Sequence, residues 1–140
     1  YHFMKLYAFA YLGFSVCYLF MDAIWLGLVA KDSYTQAMQG MLRDEFPVAP
    51  WVIFYLFYSA AVSHLVVVRS LHETGPRAFF DGAIFGMAAY GAYNLTNYAI
   101  LDGWPLGITL TDWLWGTFVT ATSSLFGWFV LQKFHAPSDD

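Results

Sequence analysis

Four polar residues stand inside otherwise greasy runs of this chain: Asp22, Asn94, Asn97 and Asp112. A carboxylate in such a setting can act as an acid or base or accept hydrogen bonds. An amide can donate and accept at once. Tyr18, Trp25, Tyr90, Trp104 and Trp115 recur around them, each a large apolar body with one polar tip. Tyr11, Ser15, Tyr18, Asp22 and Trp25 follow one another at spacings of four, three, four and three, which sets them on a single helical stripe. Tyr90, Asn94 and Asn97 form a second stripe. Asp112, Trp115 and Gly116, continued by Thr120 and Ser123, form a third. Asp22 is the candidate catalytic group of the set.

The elements that carry these stripes follow from composition. Of 140 residues, 59% are hydrophobic, 21% aromatic and only 11% charged, with a mean hydropathy of +0.51. Soluble domains carry about a quarter charged residues, so the chain reads as an integral membrane protein. About 20 apolar residues cross a bilayer as a helix, and residues 6–30, 47–68, 78–101 and 112–134 each qualify. The expected fold is all-α: a single domain built as a bundle of four transmembrane helices. Between the first two, residues 33–44 open on Ser33-Tyr34-Thr35-Gln36, similar to a capping box, and place Tyr34, Ala37, Met38, Met41 and Leu42 on one face. A short amphipathic helix resting on the membrane surface is expected there.

Basic residues set the orientation. Lys5, Arg69, Arg77 and Lys133 fall on one side, and Lys31 and Arg43 on the other. The positive-inside bias therefore puts both termini in the cytoplasm. With a rise of about 1.5 Å per residue, Asp22 lies about 12 Å below the outer surface, Asn94 about 10 Å and Asn97 about 6 Å. Asp112 opens the last span at the outer boundary. Three helices thus bring polar groups to one outer layer, which lipid cannot satisfy and a bundle would turn inward.

Two uses of that layer stay open: interhelical glue, or a pocket for a lipid-like or other amphipathic ligand lined by Asp22, Trp25, Tyr18, Tyr90, Asn94, Asn97, Trp104, Asp112 and Trp115. A mid-span aspartate is disfavoured by roughly 2.5–3.5 kcal/mol, and intramembrane ionisable groups are functional candidates for that reason. Asp22 is expected either to hold its proton or to face donors from Asn94, Asn97, Tyr or Trp. Thr109-Leu110-Thr111-Asp112 is also similar to a helix start, where Asp112 would serve the free N–H groups of a first turn. Asp81 has the same local reading at the opposite side, with a contact to His64 as the alternative.

Gly82 and Gly86 form a GxxxG, and Gly116, Thr120 and Ser124 repeat a small-residue register. Both suit close helix contact, within the chain or in a homo-oligomer. The single cysteine, Cys17, excludes an internal disulfide and any cysteine-pair metal site. No metal or cofactor motif occurs, no phosphate loop, and no basic cluster for nucleic acid. The expected partner is membrane lipid.

FMDAIWLGLVAKDSY, AIFGMAAYGAYNLTNYAILDGWPL and TLTDWLWGT together resemble an uncharacterised bacterial membrane-protein family, "domain of unknown function 2177". The resemblance covers nearly the whole chain. It implies a four-helix protein of the bacterial inner membrane, with signature positions at Asp22, Trp25, Gly27, Leu95, Thr96, Asn97, Gly103, Trp104, Pro105, Asp112, Trp115 and Gly116. The family pattern has an aspartate where this chain has Asn94, so a carboxylate role there does not carry over. Besides ligand binding, three functions are compatible with this reading: a lipid-modifying enzyme using Asp22 as acid or base, an accessory subunit of a membrane complex, and a small carrier acting as a homo-oligomer.

Overall fold

Long apolar runs interrupted at Pro47, Gly75-Pro76 and Pro105 fold as four helices, because proline cannot continue a helix but is tolerated in its first turn. The computed structural model describes residues 2–29, 40, 44–45 and 47–134. Helix α1 is His2–Ile24, prolonged by a π-helical turn at Trp25–Val29. Helix α2 is Val48–Val62, running on through a π turn at Ser63–Val67 and a 3-10 turn at Val68–Ser70. Helix α3 is Gly75–Ile100 and α4 is Leu106–Phe134. The expected surface helix at 33–44 lies, but for residues 40 and 44, outside the described ones.

Three segments, Phe3–Gly27, Val48–Ser70 and Leu106–Phe134, are long and apolar enough to cross a membrane. Helix α3 has the length, 26 residues, but trades hydropathy for small residues. It is joined to α4 by a short turn. Gly103 (φ +87°) permits the reversal and Pro105 ends it. The last helix consequently begins six residues earlier than its threonines and aspartate suggest. Asp112 lies in its second turn, beyond the N-cap position.

The small residues of α3 serve α4. Gly82 faces Ser124, where a Cβ would come within 2.5 Å of Oγ; Gly86 faces Thr120 and the Gly116 carbonyl, again at 2.5 Å. One turn on, the Tyr90 ring lies flat over Gly116, and one turn further Asn94 meets Asp112. Each step advances four residues in α3 and retreats four in α4, so one antiparallel ladder of i, i+4 rows joins them. Gly82 and Gly86 are therefore buried within the chain, against α4. Lipid gives helices little hydrophobic reason to associate, so close backbone approach and hydrogen bonds must hold them.

Helix α4 also runs antiparallel to α1, with Gly13 against Gly127 and Phe9 stacked on Phe134. Tyr18 of α1 packs on Tyr55 and Tyr58 of α2, and Tyr58 in turn on Phe85 and Tyr90 of α3. The result is an up-down-up-down bundle around Phe14, Tyr18, Val62, Val67, Val119 and Leu131, all fully buried. One end carries the α1–α2 and α3–α4 connections. The other carries the α2–α3 turn and the outer ends of α1 and α4.

Candidate functional site

The polar stripes converge at the connection end, where all four helices contribute. Asp22, 7% exposed, sits just before the π turn of α1. Its Oδ2 accepts a short hydrogen bond from the Tyr55 hydroxyl of α2. Its Oδ1 accepts one from Trp115 Nε1 of α4 at 3.1 Å. Trp115 is fixed in turn by Trp25, with ring centroids 4.6 Å apart and planes 7° from parallel. Wide π turns are rare and concentrate where a side chain must be re-aimed, and Trp25 is the first residue of this one.

An amide–acid pair lies across the layer. Asn94, fully buried, donates through Nδ2 to Asp112 Oδ2 at 2.7 Å and to its own helix at Tyr90 O, 3.0 Å. The two acids are linked through their neighbours. Tyr55, bonded to Asp22, packs edge-on against Tyr18, and the Tyr18 hydroxyl bonds that of Tyr90. The Tyr90 carbonyl accepts from the Asn94 amide that also reaches Asp112. Beneath them the Tyr18 and Tyr90 hydroxyls are hydrogen-bonded to one another, and Tyr58 bonds Thr120 Oγ1 at 2.7 Å. This makes a floor of hydroxyls one turn deeper, closed by aromatic rings.

The expected residues divide. Tyr18, Asp22, Trp25, Tyr90, Asn94, Asp112 and Trp115 come together. Asn94 meets Asp112, however, and the donors to Asp22 are Tyr55 and Trp115. Asn97 departs from its stripe and lies within reach of the Tyr93 hydroxyl. Tyr93 meets Trp104 edge-on at 5.9 Å, and Trp104 is 8% exposed. Asn97 and Trp104 thus belong to the rim beside the α3–α4 turn.

Tyr55 is the participant that sequence reasoning passed over. It stands seven residues into α2, about 10 Å down, at nearly the depth inferred for Asp22. Depth alone could have found it, but the aromatic crowding of α2 hides any stripe.

Across the described residues no three histidine, cysteine, aspartate or glutamate side chains gather as a metal site would need. A hydroxyl and an indole N–H converge on the Asp22 carboxylate. What the arrangement does chemically is satisfy a buried carboxylate with neutral donors drawn from two other helices.

No curated protein and no solved structure matches the chain. A family profile spans residues 7–129, which takes in Asp22, Tyr55, Asn94, Asp112 and Trp115. By that match the chain belongs to the predicted membrane protein family designated domain of unknown function 2177.

Proposed function

We propose that the polar layer receives the headgroup of a lipid-like amphipathic ligand, whose tail lies along the apolar helix faces. One observation carries this reading. Asp22 is a buried carboxylate inside a span, held by tyrosine and indole donors from two other helices. Glue between helices needs only amides and hydroxyls, which insert at far lower cost than an acid. Retaining the acid makes sense where its charge meets a ligand.

With the termini in the cytoplasm, as the basic residues favour, the layer faces outward across a bacterial cytoplasmic membrane. A reporter fused to the C-terminus checks that orientation. The binding reading is tested by mass spectrometry of lipid retained in mild detergent. Asp22→Ala should lose a ligand that the wild type retains, with helicity preserved. The same lipid complement in both proteins would refute it.

A further inference from the structure

Helix α2 meets the bundle along only part of its length. Tyr58, Ser59, Val62, Ser63, Val66 and Val67 form one face, and all are buried. Towards the connection end the same face continues as Tyr55, Val52, Trp51 and Val48, apolar enough to be buried as well. It is not. Val48, Trp51 and Val52 are 62%, 52% and 47% exposed, and from Val48 to Phe57 every residue but Tyr55 is exposed. Contact with lipid explains exposure on the outward side of a helix, but not on the side aligned with its own buried row.

The change comes at Tyr58. Its hydroxyl meets Thr120 Oγ1 at 2.7 Å, and its ring lies among those of Phe14, Tyr18, Phe85 and Tyr90. Beyond this anchor, Tyr55 ties the outer half of α2 to α1. Its hydroxyl donates to Asp22 Oδ2, and its ring meets Tyr18 edge-on at 5.8 Å. A segment with little buried surface opens at least cost, and lids are drawn from such segments. Here the tie ends on the carboxylate itself, so opening the segment and freeing Asp22 Oδ2 are one motion.

We infer that the outer half of α2, Val48–Phe57, is a lateral gate that pivots at Tyr58 and is latched by the Tyr55–Asp22 hydrogen bond. On the ligand-binding reading given above, the gate admits the ligand sideways from the bilayer. The headgroup takes the place of the Tyr55 hydroxyl on Asp22, the segment swings out, and the tail follows beside α2. An amphipathic molecule already dissolved in the membrane then reaches the polar layer without exposing its tail to water.

Electron–electron double resonance in lipid nanodiscs tests the gate. Spin labels go on exposed positions, after Cys17→Ala removes the native thiol. Ile53→Cys with Leu114→Cys spans the gate, and Leu65→Cys with Phe129→Cys spans the anchored half. The outer pair should show two distances and the inner pair one. Tyr55→Phe should at least double the share of the longer outer distance and leave the inner pair unmoved. If Tyr55→Phe leaves the outer distances as they were, the gate is overturned and ligand binding is left to its own test. Movement of the inner pair as well would make α2 shift as a whole and overturns the pivot at Tyr58. A dipolar signal from the Ile53→Cys label alone would mean that a second copy covers this face, which also overturns the gate. The expected shift, beside the same lipid complement in wild type and Asp22→Ala, would keep the gate and refute the ligand reading.

Discussion

The two ends of the bundle use polar side chains for different purposes. At the end carrying the α2–α3 turn, side chains serve the backbone. Trp128 Nε1 donates to the Glu73 carbonyl at 3.1 Å, Gln132 Nε2 to the Leu71 carbonyl at 2.7 Å, and the Thr74 hydroxyl accepts from Arg77 N at the start of α3. Asp81, one of the acids at that end, has Arg77 one turn away at 3.1 Å, and His64 meets the Tyr7 hydroxyl at 2.6 Å rather than Asp81. Most of these contacts satisfy helix ends and exposed charges. At the connection end, side chains from different helices also serve one another. Helix α4 shows the contrast in one residue type: Trp128 covers a free carbonyl, whereas Trp115 holds a carboxylate that no helix end requires. Architecture explains the first end, and the proposed binding role is a reading of the second.

The strongest way to break this comparison is to remove the ladder that holds both ends in register. At Gly116 a Cβ would fall inside the Tyr90 ring. Gly116→Leu should destabilise by about 3 kcal/mol or more, as severe overpacking does. Loss of the cooperative thermal transition in detergent would show it. Because Tyr90 and Asn94 sit on adjacent rungs, lipid retention should fail together with folding. Next in size is Asp22→Ala, which strands the Tyr55 hydroxyl and the Trp115 indole N–H in a buried layer. Each orphaned donor costs roughly 1–3 kcal/mol, so a destabilisation of that order should appear in the same melt. Asp22→Asn keeps a shape and an acceptor and should recover most of the stability but not the lipid. Full recovery of both would make Asp22 glue.

Much of this contrast is visible in the sequence, and what is not has identifiable causes. The stripe of Ser15, Tyr18 and Asp22 is buried as its spacing demands, because a helical period fixes a face whatever the neighbours are. The start of α4 is not legible in the same way. Threonine and aspartate before an apolar run look like a cap, while Pro105 independently permits a helix to begin at once, and the proline wins. Pairing is harder still. Asn94 and Asn97 are one turn apart, yet one turns to Asp112 and the other to Tyr93, since three residues fall short of a full turn and packing decides on which side. Tyr55 is invisible for another reason. In a helix of aromatic residues, the one that bonds is singled out only by the partner opposite it.

Tyr55→Phe sharpens the comparison by a smaller step, about 0.6–1.7 kcal/mol, the range of single hydrogen bonds between helices in membranes. The indole of Trp115 still holds Asp22, so unfolding should shift modestly while lipid retention drops more than stability does. A proportional loss of both would mean that Tyr55 acts only through packing.

The smallest effect belongs to the opposite end. Arg77→Ala removes an ion pair whose side chains are 58% and 36% exposed, one turn apart on the same helix. Such pairs contribute about 0.3–0.5 kcal/mol and are screened by salt. The start of α3 keeps its cap, because Thr74 accepts from the backbone N–H of residue 77, which the substitution retains. The melt should therefore move by little more than its error, with lipid retention unchanged. If Arg77→Ala disturbs lipid retention as much as Tyr55→Phe does, the ends are coupled and the division between them fails. An unchanged lipid complement, beside a measurable loss in Tyr55→Phe, would confine the binding chemistry to the layer of Asp22 and Asp112.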